Sequence, residues 1–209
     1  MIDITFKDTL GNHEIAVAFP TTKQDLKDPM DFLFRFGRSS IEATKQALAT
    51  LRWPNFTIGW GKLAPTSVEI LANVVGRARQ EHPIQFESPF EGSTFISGGV
   101  WDCKGANDAI VPLEFAVGCN DLPPHIHRYS DRLILILGGK GTMHYMSDAS
   151  DTFIERDFSA REISTGDLIV FMRGAIHTFS TDQESLHMLS YHDPFVPLDD
   201  STQYEVVSA

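Results

Sequence analysis

The sequence predicts a mainly β fold in which the sheet-forming region follows an N-terminal β-hairpin and a two-helix extension. Three observations carry this. Beyond residue 84 the apolar residues gather in short runs between turns, so that Thr94 to Trp101, Ile110 to Val117, Leu133 to Leu137, Gly141 to Met146, Thr152 to Arg156, Leu168 to Met172 and Leu186 to Tyr191 read as strands. Two capping-box signatures, each followed by apolar residues at helical spacing, lie between residues 39 and 80. Ile2 to Phe19 holds two alternating runs around Leu10-Gly11-Asn12, the pattern of a hairpin. The chain divides into residues 1–83, the hairpin and helices; 84–197, the β domain; and 198–209, a polar tail with a small Tyr204-Glu205-Val206-Val207 run that suits an edge strand or disorder.

In order along the chain, Pro20 to Pro29 is a polar connector and Met30 to Phe36 a short aromatic-rich stretch. Ser39-Ser40-Ile41-Glu42 then opens a helix reaching about Leu51, with Ile41, Ala47, Leu48 and Leu51 as its apolar stripe, and Trp53-Pro54 ends it. Thr66-Ser67-Val68-Glu69 opens a second helix to about Gln80, with Val68, Leu71, Val74 and Val75 on one side. His82-Pro83 closes it. A helix-turn-helix regulator is the weaker reading of this pair: Arg52 to Pro65 is too long for the usual tight turn, and the second helix carries only Arg77 and Arg79 as cations. Packing against the β domain or a second subunit accounts for it better.

The chemistry concentrates in Gly118 to Gly138. His125 and His127 are one residue apart, and on a strand such a pair presents both imidazoles on one face, close enough to share a metal ion. Ile126 points the other way. A straight strand would carry Asp131 about 13 Å past His127, so the chain must bend at Arg128, Tyr129 and Ser130 for its carboxylate to join. After it, Leu133 to Leu137 is unbroken and apolar, as in a strand buried on both faces, and Gly138-Gly139 is read as the turn that closes it. Downstream, Gly166-Asp167 opens the strand Leu168 to Met172, which runs into Arg173-Gly174-Ala175-Ile176-His177. His177 supplies a third imidazole. Three nitrogens and one oxygen suit iron, manganese, nickel, copper or zinc.

These two stretches resemble the paired motifs of the cupin superfamily. The first family motif is a glycine, about five residues, His-x-His, three or four residues, a glutamate, six residues and a glycine; this chain offers Gly118, His125-Ile126-His127, Asp131 and Gly138. The second is a glycine, five residues, Pro-x-Gly, two residues, a histidine, three residues and an asparagine; here it reads Gly166, Met172-Arg173-Gly174, His177 and Thr181. Aspartate replaces glutamate, methionine replaces proline and threonine replaces asparagine. Asp131 is shorter by one methylene, so it either draws the backbone in or leaves a water between carboxylate and ion. The resemblance spans roughly residues 84–197 and implies a double-stranded β-helix, two antiparallel sheets rolled into a jelly-roll barrel, with one copy of each motif and hence a single barrel. It also implies one divalent metal held by His125, His127, Asp131 and His177, with Fe(II) favoured over Mn, Ni or Zn. Three imidazoles and a carboxylate leave coordination positions open for substrate or dioxygen, whereas a structural tetrahedral site is closed.

Three further residues are candidates for proton transfer or substrate contact near that metal: Tyr129 in the bend, with capping of the barrel mouth as its alternative role, and His144 on the strand after the first motif and His187 on the last strand, which rest on strand parity and have a structural or surface role as the alternative. His13, His82 and His192 sit in turns or at ends and are assigned nothing. Glu114 interrupts the alternation of Val111, Leu113, Phe115 and Val117, so it lies either outside in solvent or inside as a polar group of the cavity. Phe115, Phe171 and Phe179 are core candidates first and pocket lining second.

Composition narrows the partners. Residues 1–83 hold ten Lys and Arg against nine Asp and Glu, and the remainder seven against nineteen, so the negative charge behind the net −11 lies beyond residue 83, mostly in the β domain. An acidic barrel argues against nucleic acid or an anionic membrane, since phosphate binding needs a basic face. No apolar run is long enough to span a bilayer and residues 1–25 show no signal-peptide pattern. Cys103 and Cys119 fit a reducing cytosol as buried thiols, although a disulfide between them is an alternative. The expectation is a cytoplasmic homodimer, paired through the N-terminal hairpin edge, that acts on a small molecule. The leading functional expectation is a metal-dependent enzyme of dioxygenase type, with isomerase and lyase chemistry open to the same site. A non-catalytic module that senses a metabolite or bears a structural metal is the competing class. Specificity falls to cavity-facing side chains and to the connection from Ser147 to Asp157.

Overall fold

The computed structural model describes residues 1–7, 14–21, 27–50, 58–102, 107–146 and 158–207. Its elements run β1 (Ile2–Lys7), β2 (Glu14–Phe19), α1 (Pro29–Thr50), β3 (Ile58–Leu63), α2 (Pro65–Glu81), β4 (Ile96–Gly98), β5 (Trp101–Asp102), β6 (Ala109–Phe115), β7 (His125–Ile126), β8 (Asp131–Met146), β9 (Phe158–Ser164), β10 (Asp167–Phe171), β11 (Ile176–Ser180), β12 (Leu186–Asp193) and β13 (Glu205–Val206). The fold is mainly β, a jelly-roll barrel with a hairpin and two helices before it. Thr152 to Arg156, the Leu10-Gly11-Asn12 turn, Trp53-Pro54, Cys103 and the specificity connection fall outside the described residues.

All pairings are antiparallel. One sheet runs β2-β1-β3-β10-β8-β12-β6, with β4 and β5 on the far side of β6; the other runs β9-β8-β11-β7-β13. β8 belongs to both. Its first half pairs β10 and β12, and from Lys140 onward it pairs β9 and β11. The strand expected to stop at Gly138-Gly139 therefore continues through it. Gly139 has φ 81°, a conformation costly for other residues, and a Cβ there would run into the Ser185 carbonyl. The register of β8 against β12 shifts at the same place, between His187 and Met188. The two glycines bend the strand from one sheet to the other instead of ending it.

Leu133 to Leu137 is buried on both faces, as its composition requires. Leu133 and Leu135 pack under the helices with Ile2, Ile4, Leu33, Leu71 and Tyr191, while Ile134 and Ile136 fill the barrel with Trp60, Phe115, Phe171 and Phe179. Alternation decides every side chain's destination on this strand.

Two further elements differ from the sequence reading. α1 begins at Pro29, ten residues before Ser39. Asp28 caps it, its carboxylate accepting the Asp31 N–H at 3.0 Å, and Pro29 suits the first turn. A cap contributes only about 1 kcal/mol. Burial of Phe32, Leu33, Phe34 and Phe36 contributes about 1.5–3 kcal/mol each, so packing draws the aromatic stretch into the helix. Ser40, read as part of a cap, is instead buried mid-helix, its carbonyl accepting the Thr44 hydroxyl at 2.8 Å. In α2 the expected box is likewise unused: Pro65 opens the helix, no side chain caps Ala64, and Ser67 accepts the Asp3 N–H at 3.0 Å. The second difference is β3. Its sequence, Ile-Gly-Trp-Gly-Lys-Leu, has two glycines and reads as connector, yet it bridges β10 of the barrel to β1 of the hairpin.

α1 is fastened to the barrel by a polar clamp. Arg38 donates to both oxygens of Asp108, at 2.6 and 3.1 Å, and the Tyr191 hydroxyl donates to Asp108 at 2.7 Å. Burial alone would raise the Asp108 carboxyl, but these hydrogen bonds outweigh it and hold it below the ordinary aspartate range.

Candidate metal centre

His125, His127 and His177 meet inside the barrel mouth. β7 is short, and its alternation sends Ile126 into a small cluster with Met146 and Ile176 while His125 turns inward and His127, just past the strand, lies beside it. His177 on β11 sits directly across from His125 in the ladder. The approach to His177 is fixed by Gly174, at φ 90°, whose N–H donates to the His127 carbonyl at 3.0 Å. A residue with a side chain would be strained there.

All three imidazoles are 3 % exposed. Each places Nδ1 against a backbone carbonyl: His125 on Pro123 at 2.9 Å, His127 on Gln203 at 2.8 Å and His177 on Ala175 at 3.0 Å. A carbonyl can only accept, so each Nδ1 carries the hydrogen and each Nε2 keeps its lone pair. The three candidate ligand atoms lie within 4.8 Å of one another. Burial disfavours the imidazolium, and the Arg132 charge adds to this, so all three are held below the ordinary histidine range and stay neutral. The Nε2 of His127 is buried and has no partner among the described residues. A divalent ion is the group this arrangement fits: an aimed lone pair without a donor, two more beside it, and carbonyls fixing every ring from behind.

Asp131 does not join them. The chain does bend, at Arg128 and Tyr129, but β8 then resumes with its odd positions facing the helices. The Asp131 carboxylate meets Lys45 of α1 at 3.0 Å and accepts the Arg173 N–H at 2.9 Å. The inward position is the next one, Arg132. The other three candidates also lie elsewhere. Tyr129 is 55 % exposed, at an outer recess with Arg128 and Tyr204. His144 alternates with Met143 and Tyr145, which face the barrel, so it points outward and meets the Ser180 hydroxyl at 3.0 Å. His187, 45 % exposed, lies 3.9 Å from Glu114 on the outside, where Glu114 also pairs with Arg79 at 3.1 Å.

Several further residues border the three histidines, among them two phenylalanines read from sequence as core first and pocket lining second. The ring of Phe171 stacks on His177 at 4.1 Å between centroids, and Phe179 sits edge-on to it at 5.8 Å. The tail forms the edge strand β13 on β7; Gln203 holds His127 through its carbonyl, and the Tyr204 ring lies 5.6 Å from His125. Arg132 and His192 are buried nearby, and Glu91, partly buried, pairs with Arg132. The one sequence signal for Arg132 is a cation on the same face as Ile134 and Ile136. Nothing local marks Gln203 or Glu91.

A family model described as Cupin matches residues 121–193. No curated protein matches the chain. Among solved structures, the polyketide cyclase RemF of Streptomyces resistomycificus is 18 % identical with TM-score 0.42, over 53 % of this chain and 73 % of that one. A cupin-2 domain protein of Rhodospirillum rubrum, Rru_A2000, is 13 % identical with TM-score 0.47, over 61 % and 77 %. The oxalate decarboxylase of Lactobacillus farciminis is 16 % identical with TM-score 0.43, over 61 % of this chain and 34 % of that one. Likeness at this level transfers neither a reaction nor a substrate.

Proposed function

We propose that this chain, whose residues 121–193 match the cupin family model, is a metal-dependent enzyme acting on a small organic molecule, with dioxygenase-type oxidation as the reaction. One observation carries the reading: three neutral, buried imidazoles are each locked by a carbonyl so that their free nitrogens converge. A structural ion would need a fourth protein ligand to close a tetrahedron. Among the described residues no carboxylate or thiol joins the three histidines, and the aspartate in sequence position to do so is tied to Lys45.

A divalent ion held by His125, His127 and His177, Fe(II) being favoured with Mn, Ni or Zn accepted by the same donors, supplies Lewis acidity and, where redox-active, the electron source that dioxygen chemistry needs. The chain supplies the rest. Phe171 and Phe179 wall one side of the histidines and exclude water, and the carbonyls of Pro123, Ala175 and Gln203 hold the rings in one tautomer. Arg132 adds a buried positive charge.

Elemental analysis of untagged protein purified without added metal, beside His177→Ala, tests this reading. Near-stoichiometric iron or manganese in the wild type and none in the variant is expected, followed by substrate-dependent oxygen uptake. Zinc would remove the oxidative step, because zinc is redox-silent. Metal in neither protein would overturn the enzyme reading and leave the barrel as a binding module. The same preparation tests assembly: β2 ends its sheet among the described residues, and we infer that its edge pairs with a second copy, giving twice the chain mass in light scattering.

A further inference from the structure

Arg132 is 3 % exposed, and only one of its three nitrogens has a partner: Nη1 reaches Glu91 at 3.4 Å, a long contact. Nε and Nη2 are buried with none among the described residues. Those two nitrogens form the side-on edge of the guanidinium, which presents two parallel N–H groups at the spacing of the two oxygens of a carboxylate. Folding does not account for leaving that edge empty, since a buried donor without an acceptor is destabilising. The side chain lies on the barrel face of β8 with Ile134 and Ile136, and its charge reaches His125, His127, His177 and His192. Further unpartnered polar atoms surround it in the ladder and the tail. His192, directly across from Arg132 on β12, has Nε2 on the Ser190 hydroxyl at 2.8 Å, and Gln203 has Nε2 on Glu91 at 3.4 Å; among the described residues, Nδ1 of His192 and Oε1 of Gln203 have no partner.

We propose that the Nε/Nη2 edge of Arg132 receives the carboxylate of the protein's small-molecule ligand, so that the substrate class is a carboxylic acid. This rests on the reading of the barrel interior as the active site, but not on which metal loads there or whether one does. Glu91 holds the opposite end of the guanidinium. It orients the edge and partly offsets its charge, and His192 and Gln203 stand beside it for the polar groups of the bound acid.

The test tracks the 15N-labelled Nε–H resonance of Arg132, assigned by its loss in Arg132→Lys, in metal-loaded and in chelator-stripped protein. Acetate, propionate and benzoate are titrated beside their amides and beside inorganic phosphate. The expected result is a saturable shift with the acids and none with the amides at equal concentration, present in both metal states. In thermal-shift titrations Arg132→Lys should bind the acids at least tenfold more weakly, and Glu91→Gln, which frees the charge, should bind them more tightly. Because Arg132→Gln alone would strand Glu91, the double variant Arg132→Gln/Glu91→Gln serves as the folded control and should bind no acid. Amides binding as well as acids, phosphate alone binding, acid binding that needs the metal and ignores Arg132, or no acid binding at all would each overturn the assignment. Loss of metal in His177→Ala bears on the enzyme reading instead, and the two failures are separable.

Discussion

Asp131 and Arg132 are neighbours on β8 and point to opposite sides of it: the carboxylate meets Lys45 beneath α1 at 3.0 Å, and the guanidinium lies inside the barrel with Glu91 at 3.4 Å. A strand alternates, so moving the point at which β8 resumes by one residue would exchange the two. The position on the histidine side of the sheet is thereby cationic, which favours an anionic ligand there.

Metal content should therefore separate these residues. His127→Ala should lose stoichiometric metal, whereas Asp131→Asn should keep it and instead lower stability by about 1–3 kcal/mol, because Lys45 and the Arg173 N–H lose a charged acceptor. Metal analysis beside urea unfolding checks both; loss of metal in Asp131→Asn would return the carboxylate to the ligand set.

Truncation after Ser201 removes the Gln203 carbonyl that holds Nδ1 of His127. Losing such a partner typically costs 10–100-fold in metal affinity. Competition with a chromophoric chelator should show a drop of that order, and unchanged affinity would mean that the tail only covers the strand.

Tyr129→Phe, His144→Ala and His187→Ala act on outward-facing side chains. Each should leave metal content and acid binding unaltered and change stability by no more than about 0.5 kcal/mol. A fall in either binding property would place that residue back in the site.

The Arg38–Asp108–Tyr191 clamp makes stability acid-sensitive. Asp108 is depressed in the folded chain, so its contribution is fully present above the unfolded value of about 3.9 and is lost as pH falls through the lower folded value. Wild type should thus exceed Asp108→Asn in stability at pH 7, and the gap should close below about pH 4. Parallel unfolding curves at both pH values measure it; a gap that persists in acid would assign the clamp to shape and not to charge.

Gly139→Ala should destabilise by more than about 1 kcal/mol, whereas the same change at an ordinary φ would stabilise slightly, because φ is 81° and the added carbon meets the Ser185 carbonyl. Thermal unfolding reads this, and a neutral result would show that the bend of β8 can move.

Local rules made much of this protein readable from its residues. The two-residue alternation of His125-Ile126-His127 fixed which side chains meet, and the spacing to Gly174 and His177 identified the third. The run Leu133 to Leu137 required cover on both faces and has it, from the helices on one side and the barrel interior on the other. Other features depend on what the rest of the chain places nearby. Ser39 has the chemistry of a cap, but the buried ring of Phe36 and its neighbours makes a longer helix more favourable. Glycines at 138 and 139 have the chemistry of a turn, but β9 and β11 flank the residues beyond the bend and pair them as strand. β3 has weak strand propensity and forms because β1 and β10 flank it with free edges. Strand parity across the bend at Arg128 and Tyr129 cannot be counted from sequence, since irregular residues do not alternate. That single step assigned Asp131 to Lys45 and Arg132 to the barrel, while the pairing of the tail with β7 brought the carbonyl of Gln203, 76 residues away, to His127. Residue types and short-range periodicity thus determined which groups could bind a metal, and long-range packing decided which of them converge.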